Sequence, residues 1–206
     1  MADDKTPPNE TPEDGQVTEA EPKLTPAVEY DDGVLPEETD EDERPPALPY
    51  LVAAVGASAG GVEAYIQFVG ALAPDTGIAY ILIPHLLPTR KSHMVDILRR
   101  HTRMPVVTIE SGTSPLPNQI SIVPPGSQVA LRGGVFQLED RVDGARVIDH
   151  FFRSLASDQR AHAIGVILSG TDSDGALGLK AIKGDGGISF VQRPDTAGFP
   201  EMPRSS

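Results

Sequence analysis

The chain has 206 residues, a formal net charge of −13 at pH 7 and no cysteine. That length suits one domain of ordinary size with something added, and the absence of cysteine excludes disulfides and thiolate metal sites. The longest apolar runs are strand-length and the acidic start has no apolar core, so neither a membrane span nor a secretory signal is expected, and a cytoplasmic location follows.

The charge is unevenly placed. Residues 1–46 hold 16 Asp and Glu against Lys5, Lys23 and Arg44, whereas the remainder balances 14 acids with 14 bases. The low isoelectric point therefore describes one segment. Rich in Pro, Glu, Asp and Thr, that segment cannot bury enough apolar surface to offset its ordering entropy, and a disordered acidic tail is expected. Its charge argues against nucleic acid as a partner.

From residue 47 onward, strand and helix patterns alternate. Leu51 to Gly56 reads as a buried strand. Val62, Tyr65, Ile66, Val69 and Leu72 then form one stripe of a helix. Ala79 to Pro84, Ala163 to Ser169 and Gly187 to Gln192 are further continuous apolar runs, the pattern of central parallel strands covered on both faces. Between them, Ile120 to Val123 leads into "PPGSQ". The Gly133-Gly134 turn joining Val129–Leu131 to Val135–Leu138 signals an antiparallel hairpin. Ile148, Phe151, Phe152, Leu155 and Ala156 restore helical spacing. The expected fold is a doubly wound, mostly parallel α/β domain over residues 47–206, with helices on both faces and one hairpin.

In such a sheet, chemistry collects at the carboxyl ends of the strands. The first run ends in "GASAGG" with Ser58, the second in His85, and the run ending at Ser169 leads to "GTDSDGALG" with Asp172 and Asp174. Glycines around Ser58 allow a sharp strand-to-helix turn, and Ala57 and Ala59 leave its hydroxyl uncrowded. Two readings suit that turn: a backbone cradle for phosphate, or an exposed serine nucleophile whose oxyanion is met by the N–H groups of Ala59 and Gly60 at a helix start. Serine, histidine and aspartate on one rim are the minimum kit for the second. His85, Asp172 and Asp174 also offer metal-ligand chemistry, but paired acids in one turn without HExxH-type spacing do not make a metal motif. Neither a P-loop nor a dinucleotide fingerprint is present. No metal or cofactor is expected. His93, His101, His150 and His162 sit in helical or loop contexts and read as solvent-facing or capping groups.

The motifs "VGASAGGVEA", "PHLLP", "IVPPG", "IDHFFRSLA", "GVILSGTDSDGALGLKAI" and "MPRSS", in that order, closely resemble the catalytic domain of the chemotaxis protein-glutamate methylesterases and glutamine deamidases. Their wording is most similar to the form fused to a methyltransferase. The resemblance implies a Ser-His-Asp triad of Ser58, His85 and Asp174 that hydrolyses glutamate methyl esters on chemoreceptors and releases methanol. It also implies a methylated receptor or related signalling protein as partner, and a methyltransferase as a further one. Three departures stand out. Asp172 and Glu201 occupy positions where the family usually has glycine, each adding negative charge near the expected oxyanion. The family pattern also continues through another helix and strand beyond Ser206. These departures favour the alternative to an active esterase, a catalytically weakened module that binds protein.

Overall fold

The computed structural model describes residues 46–85, 93–142 and 144–206. Apart from Pro46, the expected acidic tail lies outside these residues, as does the remainder of "HLLP" after His85. The strands are β1 (Val52–Ala57), β2 (Ala79–Pro84), β3 (Val106–Thr108), β4 (Ile120–Ile122), β5 (Ser127–Arg132), β6 (Val135–Asp140), β7 (Ala163–Ile167) and β8 (Ile188–Val191). The helices are α1 (Gly61–Ala71), α2 (Met94–Leu98), α3 (Val147–Gln159), α4 (Ala176–Gly184) and α5 (Glu201–Ser205). Six strands form one sheet in the order β3-β4-β2-β1-β7-β8, every neighbouring pair parallel. The expected hairpin is β5–β6, antiparallel and separate from that sheet. Its turn residues Gly133 and Gly134 have φ of 58° and 72°, the left-handed values that match a tight turn to strand twist.

Continuous apolar runs become central strands because both sheet faces are covered. In β1, Val52 and Ala54 face a core shared with Ile148, Phe151, Phe152 and Leu155 of α3 and Leu179 and Ile182 of α4. Ala53 and Val55 face the other core, with Tyr65 and Val69 of α1 and Leu98 of α2. The close fit of α3 against α4 needs glycine at Gly178, where a Cβ would lie 2.4 Å from the Phe152 Cβ. On the opposite face the fully buried Tyr65 donates its hydroxyl to Val55 O at 3.2 Å, tying α1 to the strand that leads into the Ser58 turn. Burial pushes the Tyr65 phenol far above its ordinary range.

The structure departs from the sequence pattern in four places. The segment Ile120–Val123 joins the parallel sheet as β4, between β3 and β2, and is not part of the antiparallel hairpin that it leads into. The run at Gly187–Gln192 supplies an edge strand, with Ile188, Phe190 and Val191 exposed, because β8 has one neighbour and little packs over it. Val62 faces solvent, and the buried stripe of α1 is Gly61, Ala64, Tyr65 and Val69. Finally, β3, α2, α4 and α5 add elements that the strand and helix patterns of the sequence do not announce. Among the described residues, no helix is long and apolar enough to cross a membrane.

Candidate active site

The carboxyl ends of β2, β1 and β7 lie side by side, and backbone bonds stitch the loops that leave them. The His85 N–H donates to Ala57 O at 3.0 Å, and the Ser58 N–H donates to Ser169 O at 3.0 Å. Parallel register thus brings Ser58 and His85, 27 positions apart in the chain, onto one rim.

The Ser58 turn is built for a backbone that cannot carry larger side chains. Gly60 has φ of 71°, and a Cβ there would lie 2.8 Å from Ser169 Oγ and 3.0 Å from the Phe199 ring. Behind it, the Gly61 N–H donates to Ser58 O at 2.9 Å and the Ala64 N–H to Gly60 O at 3.2 Å, which starts α1. The Ala59 and Gly60 N–H groups donate to no protein acceptor among the described residues, so both remain available at a helix start. Ser58 is half-buried, and its hydroxyl likewise carries no hydrogen bond among the described residues.

The imidazole has a different partner from the expected one. The family resemblance gives the orienting role to Asp174, but the structure sets Asp172 Oδ2 at 3.0 Å from His85 Nδ1. The other oxygen of Asp172 accepts the Asp174 N–H at 2.8 Å. Asp174 turns inward instead. Its carboxylate accepts the Ile148 N–H at 3.1 Å and the Asp149 N–H at 3.0 Å, satisfying free donors in the first turn of α3. Burial raises the Asp174 carboxyl above its ordinary value, and those two N–H bonds oppose the shift; the negative Asp149 adds to it and His85 opposes it. Asp149 is itself buried, bonded to the Gly178 N–H at 2.7 Å and to Arg146 Nε at 2.5 Å. Arg146 Nε also stands 4.0 Å from Asp174 Oδ1.

A further rim residue, Ser169, has no role in the sequence-based expectation. It is 1% exposed. Its hydroxyl donates to Ala59 O at 2.8 Å and accepts the Phe199 N–H at 2.9 Å, clamping the Ser58 turn to the C-terminal loop. Its place at the end of an apolar run is the one available signal. Glu201 is exposed at the start of α5, while the adjacent Met202 is fully buried beneath the loop. Among the described residues, no group of three His, Asp or Glu side chains is placed to hold a metal ion.

Comparison with known proteins places this rim in context. Residues 53–206 match the family model described as CheB methylesterase. An uncharacterized 104.1 kDa protein of Rhodobacter capsulatus is 39% identical over 115 residues, covering 55% of this chain and 12% of that protein. A protein-glutamate methylesterase/protein-glutamine glutaminase 2 of Burkholderia lata is 33% identical over 162 residues, covering 77% of this chain and 48% of the relative. The chain therefore spans about half or less of the length of these two relatives. A putative protein-glutamate methylesterase/protein-glutamine glutaminase of Leptospira interrogans is 30% identical over 161 residues, covering 76% of this chain and 83% of the relative. The CheB methylesterase catalytic domain of Thermotoga maritima superposes with a TM-score of 0.68 at 20% identity, covering 77% of this chain and 87% of that one, a likeness of fold. With its motifs in order and more than half its length matched, the chain belongs to the CheB methylesterase family.

Proposed function

We propose that this chain is a serine hydrolase that removes methyl groups from glutamate side chains of a signalling protein, a methylated chemoreceptor being the expected substrate. Deamidation of glutamine side chains by the same acyl chemistry is a second expected activity. One observation carries the reading: a serine hydroxyl and two backbone N–H groups, all without a hydrogen-bond partner among the described residues, and an imidazole occupy adjoining loops on one sheet rim. Family membership supports the choice of a side-chain carbonyl as the target.

In this mechanism, Ser58 Oγ attacks the ester carbonyl while His85 Nε2 takes the hydroxyl proton. The carbonyl oxygen becomes an oxyanion held by the Ala59 and Gly60 N–H groups, aided by the positive end of α1. Collapse breaks the bond to methoxide, which leaves as methanol with the proton from His85. Water then attacks the acyl-enzyme, His85 receives its proton and returns it to Ser58 Oγ, and the free glutamate carboxylate departs. Catalytic hydrogen bonds in unliganded sites commonly tighten only when substrate is bound, consistent with the unbonded Ser58 hydroxyl. A methyltransferase is the proposed functional partner, supported by the similarity of the motifs to the fused form.

The test is methanol release from methylated receptor, with Ser58→Ala as comparison. Loss of release on the order of 10⁴-fold is expected; unchanged release overturns the hydrolase reading.

A further inference from the structure

Two aspartates two residues apart follow the same strand end, and their hydrogen bonds divide them: Asp172 meets the imidazole and Asp174 turns inward. We propose that Asp172 is the positioning residue for His85, and that Asp174 serves as the buried cap that founds α3. This deepens the hydrolase reading above and rests on it.

Hydrogen-bond geometry separates the two carboxylates. Each Asp174 oxygen faces a backbone N–H of α3, its side chain is 4% exposed, and the hydrogen bond to the imidazole comes from Asp172 instead. Ile148 and Asp149 are held there by the packing of Ile148 against Gly56 and of Phe152 against Gly178. Turning Asp174 toward the imidazole would strand two buried donors, each costing about 1–3 kcal/mol. Asp172 has no such commitment. One of its oxygens accepts the Asp174 N–H, which fixes the carboxylate at the turn, and the other meets His85 Nδ1 at 3.0 Å.

That contact has a chemical consequence. An ionised carboxylate only accepts hydrogen bonds, so the ring must donate through Nδ1–H. In the neutral imidazole this leaves the Nε2 lone pair as the acceptor for the Ser58 proton. The same carboxylate then stabilises the imidazolium formed during attack. An aspartate at position 172, in place of the family's usual glycine, thereby supplies the orienting group rather than burdening the site with stray charge.

The experiment compares Ser58→Ala, Asp172→Asn, Asp172→Glu and Asp174→Asn in the full chain. It measures kcat and KM for methanol release from methylated receptor, the rate of Ser58 labelling by a fluorophosphonate, and the thermal midpoint. In Asp172→Asn the amide oxygen can still accept the Asp174 N–H, but the amide NH2 turned toward Nδ1 favours the tautomer with hydrogen on Nε2. Asp172→Asn should therefore lower kcat and labelling together, by up to about 10⁴-fold, the loss produced by the analogous change in a serine protease triad. KM should stay within about twofold and the midpoint within a few degrees. Asp172→Glu, which keeps the carboxylate, should recover part of the rate. Asp174→Asn should lower the midpoint while folded protein keeps kcat within about tenfold. If Ser58→Ala abolishes release but Asp172→Asn retains wild-type kcat, the positioning role fails alone. It fails equally if folded Asp174→Asn shows the loss of kcat expected for Asp172→Asn. Release unaffected by Ser58→Ala overturns both readings.

Discussion

Ser58 and Ser169 follow neighbouring parallel strands at the same end of the sheet, and the two hydroxyls have opposite surroundings. Ser169 is sealed from solvent and joins Ala59 O to the Phe199 N–H. Ser58 is half-buried and its hydroxyl is bonded to nothing among the described residues, beside two equally unengaged N–H groups. A hydroxyl with satisfied partners holds structure, whereas one left unbonded forgoes that stabilisation and, in the proposed mechanism, keeps its lone pairs for a substrate. The β7 end braces the turn; the proposed chemistry belongs to the β1 end.

Substituting each serine by alanine is the sharpest way to break this comparison. Ser58→Ala should reduce turnover on the order of 10⁴-fold while leaving the thermal midpoint unchanged, because no hydrogen bond among the described residues is lost. A large drop in midpoint would show that the hydroxyl has a structural partner after all. Gly60→Ala should come next and damage both properties at once. It forces a side chain into left-handed backbone, costing roughly 1–2 kcal/mol, and drives the Cβ against Ser169 Oγ, which its own two bonds hold in place. Calorimetry and methanol release should fall together; loss of either one alone would separate the turn's fold from its chemistry.

Ser169→Ala should be milder and reversed in character. It leaves Ala59 O and the Phe199 N–H without their partner, at about 1–3 kcal/mol, or a few degrees in midpoint for a domain of this size. The residual activity of folded protein should exceed that of Ser58→Ala by orders of magnitude. Equal activities in the two variants would remove the distinction between the brace and the nucleophile.

The legible and illegible parts of the molecule divide along the same line. Central strands can be read because Val52–Ala57 and Ala79–Pro84 are buried on both faces and so are apolar throughout. The rim can be read because topology alone delivers residues at strand ends to one edge. Edge strand β8 has the same composition as a central strand, and only the layers packed on it decide whether Phe190 is covered. β3 has three residues, too few for periodicity to register. Asp172 and Asp174 cannot be told apart by local pattern, since their division is set by the first turn of α3, some 25 residues earlier in the chain. Ser169 is opaque for the same reason, its partner Phe199 lying 30 residues downstream.

The smallest expected effect concerns Asp174 and pH. Burial raises its folded-state pKa above the ordinary 3.8, although the Asp149 and Ile148 N–H groups pull the other way. A raised carboxyl means the folded state binds a proton more tightly than the unfolded chain. The resulting stabilisation is fully present below pH 3.8 and is lost as pH rises through the folded value. Asp174→Asn abolishes that titration and forfeits one of two acceptors for the α3 donors, so it should be less stable than the natural chain throughout. The gap in thermal midpoint should be widest at about pH 3.5 and narrow toward about pH 7, following the proton linkage of this one group. His85, Asp149 and Arg146 surround Asp174 in both proteins, so comparing the two midpoints at each pH isolates the contribution of Asp174. A gap that widened with rising pH would mean that the α3 donors outweigh burial, making Asp174 a net stabilised anion.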